Sequence, residues 1–372
     1  MDGNYIDEIK STAQLTDIEE RVLKDVGIRS SEELISLAWN FPSLGQGGLN
    51  LAKLSHIANL SSKTAGFARA VQQFGFGFSA PPSFPFGAEA PPNVPGTVGY
   101  QVPLSPPRSA MTGGPQLPPS GIIDLRFPGW AVRNQGVRGT CVAFALVACR
   151  EHLAFEVGTQ TPLSEQYLYW ATKTQIDPHS TIDGTRIEFA QDALDQHGTC
   201  LTQLWQYNGH SLPGNISHGT ANDPSSAAQA DAPNWRVLAA QYARSIGFGG
   251  NAAVVLNALQ TSGRPVAISV PVFADPTLPA GDNWNTATAL AYGRVLDPPP
   301  TSIAITGHAV CVTGYVPDSS EPCGGWFIFR NSWGSIWGTA LPAAPPYYAP
   351  EVGYGQISAS YVDNFLMEMC QL

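Results

Sequence analysis

The sequence predicts an α+β protein: a two-lobe domain over residues 122–372, helical lobe first and antiparallel sheet or barrel second, preceded by a small all-α module and a Pro/Gly-rich linker. Three observations predict it. Residues 1–65 carry capped apolar stripes at helical spacing. Residues 66–121 hold twelve prolines and no period. From Ile122 the pattern is helical until about residue 262, after which strand-like runs dominate.

In the first module, Thr16 with Glu19 and Ser30 with Glu33 form two capping boxes. Ile18, Val22, Leu23 and Val26 make one apolar stripe, closed by Gly27. Leu34, Ile35, Leu37 and Ala38 make a second, stopped by Pro42, and Leu49, Leu51, Leu54, Ile57 and Leu60 a third. The turn Val-Gly-Ile-Arg-Ser-Ser-Glu-Glu-Leu resembles that of helix-hairpin-helix modules, some of which bind DNA. Nine acidic against six basic residues favour a protein partner or self-association through residues 1–65 instead. In the linker, Phe74, Phe76, Phe78, Phe84 and Phe86 stand among glycines and prolines. The stretch reads as an extended tether, or as a cover whose phenylalanines fold back over a cleft.

In the domain, Ile122–Arg126 reads as a short strand. Cys141 to about Val157 reads as a buried helix bearing Ala143, Phe144, Leu146, Val147 and His152. Leu163–Ala171 is a second helix with Ser164 as its cap, and Thr185–His197 a third, ended by Gly198. Residues 208–234 read as a surface loop and Trp235–Tyr242 as a short strand or helix. Asn251–Thr261 is a further helix. Strands are expected at Arg264–Val272, Gly307–Tyr315, Trp326–Asn331 and Gly355–Val362, with a loop-rich insertion over 274–302.

Composition excludes several classes. A net charge of −10 argues against nucleic acid or an anionic membrane as partner. No apolar run approaches a membrane span, and the acidic N-terminus lacks the pattern of a signal peptide, so a cytoplasmic setting is expected. The six cysteines make no C-x-x-C pair, so neither metal nor other cofactor is expected, and reduced thiols are.

The chemistry concentrates at residues 130–150. Gly136 and Gly139 make a tight loop, Thr140 is placed to cap a helix, and Cys141 sits in its first turn. There the helix dipole favours a thiolate. Gln135 supplies an amide donor that would make half an oxyanion hole. A thiol nucleophile needs a base and a group to orient that base. His308 opens an alternating strand, and Asn331 ends the next one, within reach of its imidazole. Trp333 beside Asn331 would shield that bond from water.

Gln135, Cys141, His308 and Asn331 in this order, with Asn-Gln-Gly before the cysteine and Asn-Ser-Trp-Gly-x-x-Trp-Gly at the asparagine, resemble the papain-like cysteine peptidases. The Arg-Gly-Thr-Cys-Val-Ala-Phe variant is similar to bacterial members. The resemblance implies a papain-like two-lobe fold and a peptidase acting on polypeptide substrates. It makes Cys141 the nucleophile, His308 the base and then acid, Asn331 the orienting residue, and Gln135 with the Cys141 N–H the oxyanion hole. Asp183, Gly184 and Thr185 occupy the place of the glycine pair that binds substrate backbone, and Gly139, Thr140, Ala309 and Trp333 are further candidates to line the cleft. Arg138 stands where the family has a disulfide cysteine, which fits a reducing compartment, and Val142 where it has an aromatic. The pro-segment motif of secreted members is not visible in residues 1–120, so a zymogen role for that region is inference alone. The same residues would also support an acyltransferase or amidase, and a silent binding protein is the remaining alternative.

Overall fold

The computed structural model describes residues 86–89, 101, 121–126, 130–209, 223–245, 249–274, 282–334, 337–338 and 351–372. The chain divides after Ser83, and all of these lie in its second unit, Phe84–Leu372. The helical module expected over 1–65, most of the linker over 66–121 and residues 210–222 lie outside the described residues.

The helical lobe is built on α1, Cys141–Glu156. Every residue from Cys141 to Cys149 is buried, because a helix apolar all round must be covered on all sides. α2, Glu165–Ala171, starts where expected: the Ser164 hydroxyl accepts the Tyr167 N–H at 3.0 Å. It runs on into a wider π turn, Thr172–Ile176. α3, Ile187–Gln196, begins later than its apolar pattern predicts, because the Thr185 backbone is used in a bridge to Ala88. Gly198, at φ +75°, ends it. Part of the expected 208–234 loop folds as α4, Ser226–Asp231, capped by Ser225.

The second lobe is one sheet of eight strands: β1 Ile123–Asp124, β2 Gln241–Arg244, β3 Val266–Ala274, β4 Arg294–Val295, β5 Ile303–Pro317, β6 Gly325–Arg330, β7 Tyr354–Ser358 and β8 Glu368–Gln371. The order is β2-β8-β3-β5-β6-β7-β4, with β1 on β5. Every pairing is antiparallel except that of β4 with β7. α5, Asn251–Ser262, lies between β2 and β3. Three readings are corrected here. The strand expected over 355–362 stops at Ser358, whose hydroxyl accepts the Tyr361 N–H at 3.1 Å and starts α7, Ala359–Phe365. The insertion over 274–302 contains α6, Ala287–Tyr292, and β4, and its Trp284 is fully buried. β8 was not evident in the pattern; both of its edges are paired, to β2 and β3.

The lobes meet along α1. Its core includes Leu146, Val147, Leu168, Ala190 and Leu194 from the helices together with Ala267, Ala309, Cys311 and Cys370 from the sheet. The sheet residues are small, so helix and strands approach closely. The sheet's other core is aromatic, with Trp284, Phe329, Trp333, Trp337 and Tyr361 among aliphatic β3 and β5 residues.

Candidate active site

Register brings the sheet's contribution together. Val270 of β3 faces His308, and Arg330 of β6 faces Cys311, three residues further along β5. Asn331, just past the end of β6, therefore reaches back to the histidine: its Oδ1 accepts the His308 Nε2–H at 2.9 Å. That bond fixes the tautomer and leaves Nδ1 as the bare, buried acceptor, without a hydrogen-bond partner among the described residues. Trp333 stacks on the imidazole at 4.6 Å and 25°, and Trp284 meets it edge-on at 4.9 Å.

From the other lobe, α1 presents Cys141 at its first position. The Ala309 N–H, one residue beyond His308, points at the Cys141 sulfur at 3.4 Å. The cysteine and histidine are thus brought to the same seam. Gln135 is fully buried beside them. Its Nε2 donates to the Arg138 carbonyl at 2.8 Å and its Oε1 accepts the Ser332 hydroxyl at 2.5 Å, so the amide is held from both sides. Thr140 precedes the helix, but its hydroxyl bonds Tyr207 Oη at 2.6 Å and does not cap α1. Arg138 is fully buried, its guanidinium between the rings of Tyr169 and Tyr207, each 5.2 Å away.

A short strand from the linker occupies the cleft. Gly87 and Ala88 both donate to the Gly307 carbonyl, at 3.1 and 3.0 Å. Thr185 donates to the Gly87 carbonyl at 2.8 Å and accepts from Glu89 at 2.9 Å. Ala88 thus pairs parallel to Thr185, in the loop before α3, and antiparallel to Gly307 of β5, as an extended peptide added between that loop and the edge of β5. The approach leaves no room for side chains: a Cβ on Gly87 would stand 2.1 Å from the Gly139 carbonyl oxygen, and one on Gly184 2.7 Å from that of Gly87. Phe86 packs edge-on to both His308 and Trp333. Of the five phenylalanines in the linker cluster, Phe86 lies among the described residues.

Burial shifts both groups of the site. The Cys141 thiol is pushed up to about 12, chiefly by desolvation, and the His308 imidazole down to about 4 by the same cause. Desolvation thus opposes the thiolate that a helix start favours, while the Ala309, Val142 and Gly87 N–H groups work in the thiolate's favour. The Asp183 carboxylate accepts the Gly139 N–H and the Tyr169 hydroxyl. Tyr169, Tyr207 and Ser332 are site residues that the sequence reading passed over; Tyr169 lies in the Leu-Ser-Glu-Gln-Tyr-Leu-Tyr-Trp run and Ser332 beside Asn331. Among the described residues no cluster of three His, Cys, Asp or Glu could hold a metal ion.

The fold is papain-like. The solved structure of xylellain, a cysteine protease from Xylella fastidiosa, matches at a TM-score of 0.52 and 21% identity, covering 77% of this chain and 96% of that one. In sequence, the chain is 27% identical over 219 residues to cathepsin J of Rattus norvegicus, a match covering 58% of this chain. It spans 57% of that relative's length. No protein-family model matches the chain.

Proposed function

We propose that the chain is a cysteine peptidase held latent by its own linker. The Cys141 thiol gives its proton to His308 Nδ1, and the sulfur attacks a peptide carbonyl. His308 returns that proton to the leaving amine, and water, activated by the same nitrogen, hydrolyses the acyl-enzyme. Asn331 keeps the imidazole in the required tautomer, and Gln135 with the Cys141 N–H stabilises the oxyanion. The backbone of Thr185 and Gly307, which now binds residues 86–89, would bind an extended substrate in their place. The observation that carries the reading is the convergence of Ala309 N–H on the Cys141 sulfur beside a histidine whose other nitrogen is held by Asn331. Six cysteines without a disulfide support a reducing, cytoplasmic setting. Residues 1–65 are the part assigned to recruiting a protein partner or a second copy.

The test is peptide cleavage by the full chain and by its Cys141→Ala and Asn331→Ala variants, with products read by mass spectrometry in the presence of a free amine. Cleavage lost in Cys141→Ala and reduced about 10²-fold in Asn331→Ala supports hydrolysis through this triad. Amine-capped products replace hydrolysis by acyl transfer. Activity surviving in Cys141→Ala overturns the proposal.

A further inference from the structure

Opposite the β5 edge at Gly307, two segments line the other side of the cleft: the loop 136–140 that leads to Cys141, and residues 183–185, which pair with the extended strand. No disulfide joins them. A carboxylate does. Asp183 Oδ2 accepts the Gly139 N–H at 2.8 Å, and its Oδ1 accepts the Tyr169 hydroxyl at 2.7 Å and the Gly184 N–H at 3.1 Å. The Gly184 N–H also reaches Tyr169 Oη at 3.0 Å. Gly139 lies two residues before the cysteine, and Gly184 one residue before the strand-binding Thr185. One side chain therefore joins the two segments on this side of the cleft.

The clasp is braced from below. The Tyr169 ring supports the Arg138 guanidinium, which donates to Gln166 Oε1 at 2.7 Å and the Asn208 carbonyl at 2.9 Å. The Arg138 carbonyl in turn holds the Gln135 amide. At the second segment, the buried Lys173 ammonium donates to the Gly184 carbonyl at 2.8 Å, the His179 carbonyl at 2.9 Å and Asp177 Oδ2 at 2.6 Å. The Gly139 N–H, the Gly184 N–H and the Gly184 carbonyl are thus each tied to a charged side chain, and charge-assisted bonds are the strong kind.

We infer that Asp183 is a positioning residue that fixes the distance between the Cys141 loop and the substrate-binding edge at Gly184–Thr185, a non-covalent clasp whose geometry is independent of redox state. This rests on the reading of Cys141 as the nucleophile. The clasp has an electrostatic consequence. The titratable and charged groups around the sulfur are His308 on β5 and Asp183 on the recognition edge, and the Asp183 charge adds to the rise that burial imposes on the thiol. A carboxylate at that place opposes the thiolate, so its presence is explained by geometry and not by activation of the sulfur.

The experiment uses the full chain and its Asp183→Asn and Asp183→Ala variants. Two quantities are read: the pH midpoint of Cys141 alkylation by iodoacetamide, and kcat and KM separately on a peptide that wild type cleaves. Asn removes the charge but keeps an acceptor for the Gly139 N–H. Its alkylation midpoint moves down by about half a unit or more, with KM rising only about two- to threefold. Ala removes the clasp as well, and raises KM about tenfold or more while kcat falls less. Midpoints equal to wild type in both variants, or a KM in Asp183→Ala within about twofold of wild type, overturn the inference. Should Asp183→Ala fail to fold, Tyr169→Phe, which removes the hydroxyl that holds Asp183 Oδ1, decides: a KM within about twofold of wild type overturns the inference. If the wild type cleaves no peptide, the proposed activity fails, and amide hydrogen exchange at Gly139 tests the clasp on its own: faster in Asp183→Ala if the carboxylate holds this loop, and an unchanged rate overturns it.

Discussion

Phe86 stands edge-on to His308, their ring centroids 5.5 Å apart at 79°. The imidazole is thereby enclosed on every side that other rings leave open, with Trp333 stacked on it and Trp284 at its edge. The enclosing residue comes from the linker, not from either lobe. With Phe86 and Gly87 seated, cysteine and histidine are both fully buried, and burial disfavours the charged form of each.

Unseating the linker should expose the sulfur. Phe86→Ala deletes the ring that fills the space between His308 and Trp333, worth on the order of 2 kcal/mol of docking, and so about thirtyfold in the opening equilibrium. Gly87→Ala acts differently, by driving a methyl group into the Gly139 carbonyl. Both variants should alkylate at Cys141 at least tenfold faster than wild type at neutral pH, read by mass spectrometry of the intact chain. Rates equal to wild type in both would mean that residues 86–89 do not gate the thiol.

Closure should also depend on pH, with a sign set by two opposite shifts. Cys141 is raised to about 12 in the closed form, so closure is fully stabilised below the open-state thiol pKa, about 9, and weakens as pH rises above it. His308 is lowered to about 4, so its contribution is present above the open-state imidazole value, about 6.5, and is lost as pH falls toward 4. Linker docking should therefore be tightest between about pH 6.5 and 9. Protection of the Ala88 and Glu89 backbone from added protease, measured across pH, checks this. The alkaline loss should shrink in Cys141→Ala and the acidic loss in His308→Gln. Asp183 and the Asn331 amide face the same groups and are unchanged in both variants.

The site was more legible in the sequence than the fold around it. Cys141, His308, Asn331 and Gln135 announce themselves through local punctuation: glycines before a helix start, and a polar residue where an alternating strand begins or ends. The structure brings all four to one seam because β5–β6 register and the α1 start are local consequences of those same patterns. What escaped was decided by distant partners. Thr140 looks like a cap, yet Tyr207, 67 residues away, takes its hydroxyl. The stretch 355–362 alternates like a strand, yet Ser358 turns it into a helix once Tyr361 supplies the N–H. The desolvation that raises the Cys141 thiol could not be read from its helix position, because it comes from residues distant in sequence that bury it, such as Ala309.

Beneath Asn331 lies an ionic cluster that should hold the seam in place. Arg133 bonds Glu151 at 2.7 Å and Glu165 at 2.6 Å, and both carboxylates are 1% exposed. Arg133, Glu165, Arg330, Asn331 and Ser332 line one small cavity. Burial raises Glu165 to about 7 even with Arg133 and Arg330 opposing the rise, while the Glu151 charge adds to it. Arg133→Leu would leave two buried carboxylates facing each other, with Arg330 the remaining cation in this cluster, a loss of about 3–5 kcal/mol at pH 8. The sign of its pH dependence follows. Without the cation Glu165, already raised by burial, is pushed further up, so stability is retained at low pH, where its carboxyl is protonated, and lost as pH rises through that value. Urea unfolding of wild type and Arg133→Leu at pH 5, 6 and 8 should therefore give a penalty that shrinks as pH falls. A penalty constant across the three would assign the loss to packing of the arginine stem instead of to its charge.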